Sequence, residues 1–387
     1  MRLKSLAANL ALLLASLLFT ALLLEFGVFR LLLPASDLPH LAWENGVIKH
    51  RPGDTGVYRV RDEIAARFRI NAQGWNSGHA AYQRPRTPGT KRIAIIGDSY
   101  VEALQVDHDK SLAERLEARL SAPRHPVEVY RFGIGGAPLS QYLHMLRREV
   151  LAYSPDMVVL NLVHNDFSES YRFKPGAYTS SFLKLDVRGG VVRGEITPRP
   201  WRPAWYEPLR RSATWRYLAV RRGFSFGLLR DLILGKTQPP EAYQANIDVR
   251  SLDADAAGNS AGAAAPQGLS PDLVAATRFL LAQFQDLARA HGFTPVVLMD
   301  GNRSLIESRS PDALDYDQGA LRLNKLVRTL CSELKLPLLD LHPVFLGEFA
   351  VRHRAFGHVH DAHWNAYAHD LVAESLADFL REQRIAY

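Results

Sequence analysis

The sequence predicts an α/β protein, with a parallel sheet of five strands and helices on both of its faces. Three observations carry this reading. Short runs rich in Ile, Val and Leu stop abruptly at Gly or at a polar turn. Stretches with apolar residues three and four apart lie between them. The two kinds of segment alternate along the chain. Strands that are apolar throughout, rather than at every second position, are strands buried on both sides.

The first strand is Ile93–Ile96, which Lys91-Arg92 lead into and Gly97 ends. Ser111–Leu120 follows as a helix, with Leu112, Leu116 and Leu120 on one face. Val127–Phe132 is the second strand, Leu139–Tyr153 a helix stopped by Pro155, and Met157–Leu162 the third strand. Much later comes the amphipathic helix Leu273–Ala290, closed by Gly292. Pro295–Met299 is the fourth strand, Leu321–Leu334 a helix, Leu336–Leu341 the fifth strand, and Trp364–Arg384 a last helix. Right-handed crossovers follow for such an order. Ligands of such sheets sit beyond the carboxyl ends of the strands.

Residues 168–270 interrupt the alternation as an insertion after the third strand. Its first part is rich in Arg and aromatic residues, among them Trp201, Trp205, Tyr206, Trp215 and Tyr217. Two readings stand open for it, a lid with a small core of its own or a saccharide-binding face. Its last part, DADAAGNSAGAAAPQG, is expected to be a mobile linker.

The chain opens with Arg2 and Lys4 before an uncharged apolar run from Leu6 to Leu24. At ~1.5 Å per residue this run nearly spans a ~30 Å hydrocarbon layer. Cations on the short leading side place that end in the cytoplasm and the rest across the membrane. A cleaved signal peptide is the alternative. Glu25, Phe26 and a further apolar stretch follow without a good A-x-A site, so an uncleaved anchor is expected. The domains are then a membrane anchor (1–34), a juxtamembrane arm (35–90) with little clear periodicity, and the α/β domain (91–387).

Composition narrows the function. With 387 residues, 47% hydrophobic and 22% charged, the chain is neither disordered nor fibrous. A single cysteine, Cys331, excludes an internal disulfide framework and a cysteine-cluster metal site. It lies in a helix among leucines and is expected to be a buried thiol. The net charge of +7 is spread along the chain without a dense basic block, so nucleic acid is not an expected partner.

The chemistry gathers at the strand ends. The first strand ends in Gly97-Asp98-Ser99-Tyr100, where a serine beside glycine exposes its Oγ above the sheet. Alone, this is equally a capped turn, with Asp98 tightening it. The second strand ends in Gly133-Ile134-Gly135-Gly136, a turn in which a backbone N–H can approach a ligand. The third ends in Asn161-Leu162-Val163-His164-Asn165-Asp166; Asn165 can donate to an oxyanion, and Asp166 is expected to brace the loop. Near the C-terminus stands His358-Val359-His360-Asp361-Ala362-His363-Trp364-Asn365. Histidine is the usual base for a serine, and a carboxylate fixes its tautomer. Three histidines and an aspartate also suggest a metal, but no H-E-x-x-H spacing occurs and the other partners suit acyl transfer. Trp364 and Asn365 are expected to pack and cap the last helix.

These four blocks, in this order, resemble the SGNH (GDSL-type) hydrolase superfamily over roughly residues 91–166 and 271–385. The resemblance implies a flavodoxin-like three-layer α/β/α fold and ester hydrolysis or transfer without metal or cofactor. It implies Ser99 as nucleophile, His363 as base and Asp361 as its orienter. The oxyanion hole would be the N–H groups of Ser99 and Gly136, with Gly135 the neighbouring alternative, and the Asn165 side chain. Two departures stand out. The common D-x-x-H ending is D-x-H here, which keeps His360 in view as a second base. Val163 replaces the third block's glycine. The GDSY form, the DxHWN ending and the leading apolar helix look like anchored bacterial envelope proteins of this superfamily. The function implied is hydrolysis of O-acyl, chiefly acetyl, groups of an envelope or exported glycan or a small ester. Transfer of the acyl group by the same residues, or binding of polysaccharide without catalysis, are the alternatives. The implied location is the inner membrane, with the catalytic domain facing the periplasm or cell exterior. Protein partners are unknown at this point.

Overall fold

The computed structural model of the protein describes residues 2–172, 178–201, 205–224 and 268–383. The Ala/Gly-rich tract 253–267 lies outside them. The contacts divide the chain into two units, one of residues 1–38, 56–65 and 202–240, the other of 39–55, 66–201 and 241–387.

The second unit holds the sheet. Its early strands are β1 (Leu41–Glu44) and β2 (Val47–His50), an antiparallel hairpin turned by Asn45 and Gly46, both at positive φ. Asn-Gly is the dipeptide such a turn favours. Next in the chain come β3 (Thr55–Val60), which lies in the first unit from Gly56 on, and β4 (Ile64–Arg69), whose first two residues are also of the first unit. The parallel sheet is built from β5 (Lys91–Gly97), β6 (Val127–Gly133) and β7 (Met157–Leu162). A second hairpin, β8 (Lys184–Arg188) and β9 (Val191–Ile196), intervenes before β10 (Thr294–Met299) and β11 (Leu338–Asp340) complete the sheet. The order is β6-β5-β7-β10-β11, the 2-1-3-4-5 order of flavodoxin-like sheets. Every neighbouring pair is parallel, with Gly97 beside Gly133 and Ile96 beside Leu160.

Alternate residues of each strand feed two cores. Ala94, Ile96, Phe132, Leu160 and Val297 face the helices Leu139–Arg148, Pro271–His291 and Leu321–Leu334. Ile93, Ile95, Val129, Val159 and Leu298 face Leu112–Leu120, Leu341–Arg352 and Ala366–Glu382. This is the expected three-layer α/β/α arrangement. Each fully buried Leu or Phe contributes about 1.5–3 kcal/mol, so the helix Pro271–His291, with Leu280, Leu281 and Phe284 at 0% exposure, anchors its layer firmly. Ser270 caps its start and Gly292, at φ 73°, its end.

Local departures have physical causes. The helix expected over Leu139–Tyr153 stops at Arg148. Glu149 turns aside to accept bonds from Asn45 (3.0 Å) and Lys49 (3.4 Å), and a short 3₁₀ turn, Val150–Tyr153, follows. The last strand is shorter than expected because Asp340 caps a helix, Leu341–Arg352, accepting from His342 N–H. Pro343 and Gly347 hid this helix; Pro343 sits in the first turn, where its missing N–H is no loss. The final helix begins at Ala366, with Asn365 accepting from Ala368 N–H at 3.0 Å and Trp364 fully buried, as expected. Cys331 is buried, and burial pushes its thiol up to about 12.

Trp75 and Tyr82, from the stretch before β5, are part of the core. Trp75 packs on Phe132, and Tyr82 stacks on Tyr130 at 4.1 Å. The Tyr82 hydroxyl donates to Arg131 C=O (2.8 Å) and accepts from Arg131 N–H (3.1 Å). It thereby satisfies backbone groups that the edge strand β6 would leave open. The β8–β9 hairpin of the insertion, turned by Gly189-Gly190 at positive φ, also joins this core through Leu185, as does Phe182 just before it.

Candidate active site

The sharp turn after β5 is what exposes Ser99. Asp98 caps the one-turn helix Ser99–Glu102, its Oδ1 accepting from Tyr100 N–H at 2.9 Å. Ala103, in the left-handed region, ends the turn at once. Gly133, at the end of the neighbouring strand, gives this helix its space. A Cβ there would stand 2.5 Å from Val101 C and 2.8 Å from Glu102 Cα.

His363 arrives from the loop before the last helix. Its Nε2 lies 2.7 Å from Ser99 Oγ, and its Nδ1 lies 2.5 Å from Asp361 Oδ1. Asp361 Oδ1 also accepts from His363 N–H at 2.9 Å. The short D-x-H spacing therefore closes on itself, with one carboxylate oxygen holding ring and backbone of the same residue. Burial disfavours a charged imidazole, but the Asp361 carboxylate outweighs it and holds His363 above the ordinary histidine value. Burial likewise opposes ionisation of Asp361, and the His363 charge and hydrogen bonds overcome that, keeping its carboxyl below its usual range. His360 is exposed, on the same loop.

Gly136 and Asn165 stand on the loops beyond β6 and β7, the strands flanking β5. Gly136, at φ 71°, is the third residue of a turn closed by Ala137 N–H on Ile134 C=O at 3.1 Å; that position calls for glycine. Asn165 precedes the helix Asp166–Glu169, and its Nδ2 donates to Glu169 Oε2 at 3.4 Å, a long bond.

A buried acidic group lies behind the serine. Asp98 Oδ2 accepts from Ser99 Oγ at 3.3 Å. Asp166 Oδ2 accepts from Val163 N–H (2.8 Å) and Tyr142 hydroxyl (2.9 Å), which braces the loop as expected. Burial pushes Asp98 up to about 7, against the opposing pull of Tyr100 N–H and His363. Burial, then the neighbouring Asp98, raises Asp166 well above its ordinary value. His164 is buried and bonds Asn324 Oδ1 at 2.9 Å.

Sequence reasoning missed Arg303. Its guanidinium, 1% exposed, donates to Ala362 C=O at 2.8 Å and to the Tyr100 hydroxyl at 2.6 Å. The Tyr100 hydroxyl donates to the same carbonyl at 3.0 Å. The peptide between Asp361 and His363 is thus clamped to the residue following Ser99. Asp300 holds Arg303 (3.5 Å) and Trp364 Nε1 (3.1 Å). The available signal was position, since Asp300, Asn302 and Arg303 directly follow β10 at the ligand edge of the sheet.

Comparison with curated proteins finds no match. Solved structures with similarity include TesA (14% identity, 76% of this chain and 99% of that one, TM-score 0.38). Others are an acetyl xylan esterase, AlAXEase (12%, 74% and 98%, 0.39), and a lipase/acylhydrolase from Enterococcus faecalis (14%, 76% and 96%, 0.36). Likenesses of this degree carry nothing about substrate. Over residues 93–185, the stretch bearing Ser99, Gly136 and Asn165, the sequence matches the family model for GDSL-like Lipase/Acylhydrolase.

Proposed function

We propose that the protein is a serine-dependent ester hydrolase acting through an acyl-Ser99 intermediate. The observation that carries the proposal is the relay of Asp361, His363 and Ser99, with 2.5 and 2.7 Å links. His363 Nε2 takes the Ser99 proton as Oγ attacks the ester carbonyl. Asp361 holds Nδ1–H and stabilises the imidazolium. The oxyanion is received by the N–H groups of Ser99 and Gly136 and by Asn165 Nδ2, once the long bond to Glu169 gives way. His363 returns the proton to the leaving alcohol, and water, activated by the same imidazole, releases the acid. Arg303 and Tyr100 act as positioning residues, fixing the Ala362 peptide so that the imidazole meets Oγ.

In the same proposal, residues 1–34 are a membrane anchor, 35–90 a juxtamembrane arm and 91–387 the hydrolase, lying outside the cytoplasm. Among the described residues one helix, over Ser5–Leu32, is long and apolar enough to cross a membrane, a test that a signal sequence also passes. That context supports an O-acetylated envelope or exported glycan as substrate.

The test is hydrolysis of a small activated acetate by purified variants. Ser99→Ala and His363→Ala should each lose nearly all activity with the fold intact, whereas exposed His360→Ala should keep most of it. Full activity in Ser99→Ala ends the proposal, and an inactive His360→Ala beside an active His363→Ala reassigns the base.

A further inference from the structure

The first unit contains an element that the hydrolase reading leaves unused. Residues 205–224 carry five arginines and one glutamate among two tryptophans, two tyrosines and a phenylalanine. They dock on the far end of the apolar helix. Ser212 caps the turn Ala213–Trp215, and Glu25 closes over it. The Glu25 carboxylate accepts from Ala213 N–H (2.8 Å), Thr214 N–H (3.0 Å) and Ser212 Oγ (2.9 Å). Phe29 stacks on Tyr217 with ring centres 4.4 Å apart, and Ala35 and Ala213 complete a small core.

Depth follows from arithmetic. At ~1.5 Å per residue, Ser5 to Glu25 covers roughly 30 Å, the thickness of a hydrocarbon layer. The apolar stretch runs on to Leu32, 28 residues in all, beyond the ~20 a span requires. Glu25 therefore falls at the far boundary of the layer, and the segment that caps it falls at the same level. A carboxylate in an apolar helix is costly without partners; here the docked segment supplies them.

The outward residues suit that level. Trp205 is 59% exposed, Leu218 40% and Phe224 39%, and Arg211 and Arg222 are exposed among them. Aromatic rings with guanidinium groups on apolar stems are the side chains that settle between hydrocarbon and headgroups. Arg216 and Arg221 are held within the unit, Arg216 by Ser36 C=O and Asp37 and Arg221 by Pro34 C=O and Asp62. Arg211 presents a cation on the outer face, whereas exposed Arg222 donates to the Tyr217 hydroxyl at 3.2 Å. Arg222 shares Asp62 at 3.1 Å, and Asp62 is itself 71% exposed.

We propose that residues 205–224 form an interfacial element that docks on the headgroup layer of an anionic phospholipid bilayer, beside the helix that crosses it. The proposal rests on the anchor reading above. It assigns the aromatic, Arg-rich part of the insertion to lipid rather than to saccharide.

The experiment uses the full chain in vesicles of equal parts phosphatidylcholine and phosphatidylglycerol. Trp205→Cys carries an environment-sensitive fluorophore, and Leu13→Cys, in the middle of the apolar helix, carries the same label in a parallel sample. Cys331, 1% exposed, stays unlabelled. In vesicles both labels should emit to the blue of the free fluorophore in buffer, and iodide should quench neither. The shift at 205 should shrink in phosphatidylcholine alone and with Arg211→Glu, while that at 13 should not. A lipid-buried label at 13 with a water-exposed label at 205 overturns the proposal and leaves the anchor standing. A water-exposed label at 13 overturns the anchor reading and the proposal with it. A response at 205 to a soluble anionic polysaccharide, without one to lipid, also overturns it. Phe224→Cys gives a second position should Trp205→Cys fold poorly.

Discussion

Gly133→Ala tests whether the shape of the serine turn, and not only its residues, sets the rate. Gly133 closes β6 beside Gly97, one strand away from the nucleophile. An added methyl would lie 2.5 Å from Val101 C and 2.8 Å from Glu102 Cα. These are backbone atoms of the helix that begins with Ser99, so no flexible side chain can swing aside. Ordinary carbon contacts need roughly 3.5 Å or more, so the helix or the strand must move by about 1 Å. Overpacking of this kind costs about 1–3 kcal/mol of stability. A displacement of ~1 Å at a reacting atom costs on the order of 10²-fold in rate, because His363 Nε2 and Ser99 Oγ would lose their 2.7 Å approach. The assay is kcat on a small activated acetate, with urea unfolding on the same samples. A folded Gly133→Ala with wild-type kcat and unchanged stability refutes the account of the turn.

Two further outcomes are expected. Asn165→Ala should lower kcat by ~10²–10³, the usual loss for one oxyanion donor, with little change in stability because its side-chain bond to Glu169 is long and only partly buried; unchanged kcat removes Asn165 from the oxyanion site. Asp98→Asn should alter the pH dependence of stability: the folded carboxyl holds its proton to about 7, whereas the unfolded one releases it near 4. Between those values the folded state binds more protons, so stability falls as pH rises. Three units correspond to about 4 kcal/mol by pH 8. Asparagine keeps an acceptor for Tyr100 N–H, so urea unfolding of this variant should lack that decline; parallel curves for variant and wild type from pH 5 to 8 would contradict it.

What the sequence made legible follows from locality. The parallel strands read clearly because each is a continuous apolar run ending in a turn, and three blocks of the candidate site stand at such ends, whereas the fourth, with Asp361 and His363, lies between the helices Leu341–Arg352 and Ala366–Glu382. The β1–β2 and β8–β9 hairpins were overlooked. Their strands are four to six residues long and broken by charged residues. Even so, Asn45-Gly46 and Gly189-Gly190 are hairpin dipeptides in plain view. Long-range polar contacts left no local signature. Arg303 meets Tyr100 across 203 positions, and buried His50 bonds buried Glu102 from a stretch that shows no periodicity. The docking of residues 212–217 on Glu25 and Phe29 pairs segments almost 190 positions apart. Composition marked those residues as unusual but could not say what they lie against.

The central claim is that Ser99 carries the acyl group. The direct measurement is mass spectrometry of the enzyme quenched in acid during turnover of an activated acetate, followed by peptide mapping. An acetyl group on the peptide containing Ser99, absent from Ser99→Ala and accumulating in a burst before steady state, is the predicted result. Steady-state hydrolysis at the wild-type rate in Ser99→Ala, or an acetyl group mapping to another residue, would contradict the account.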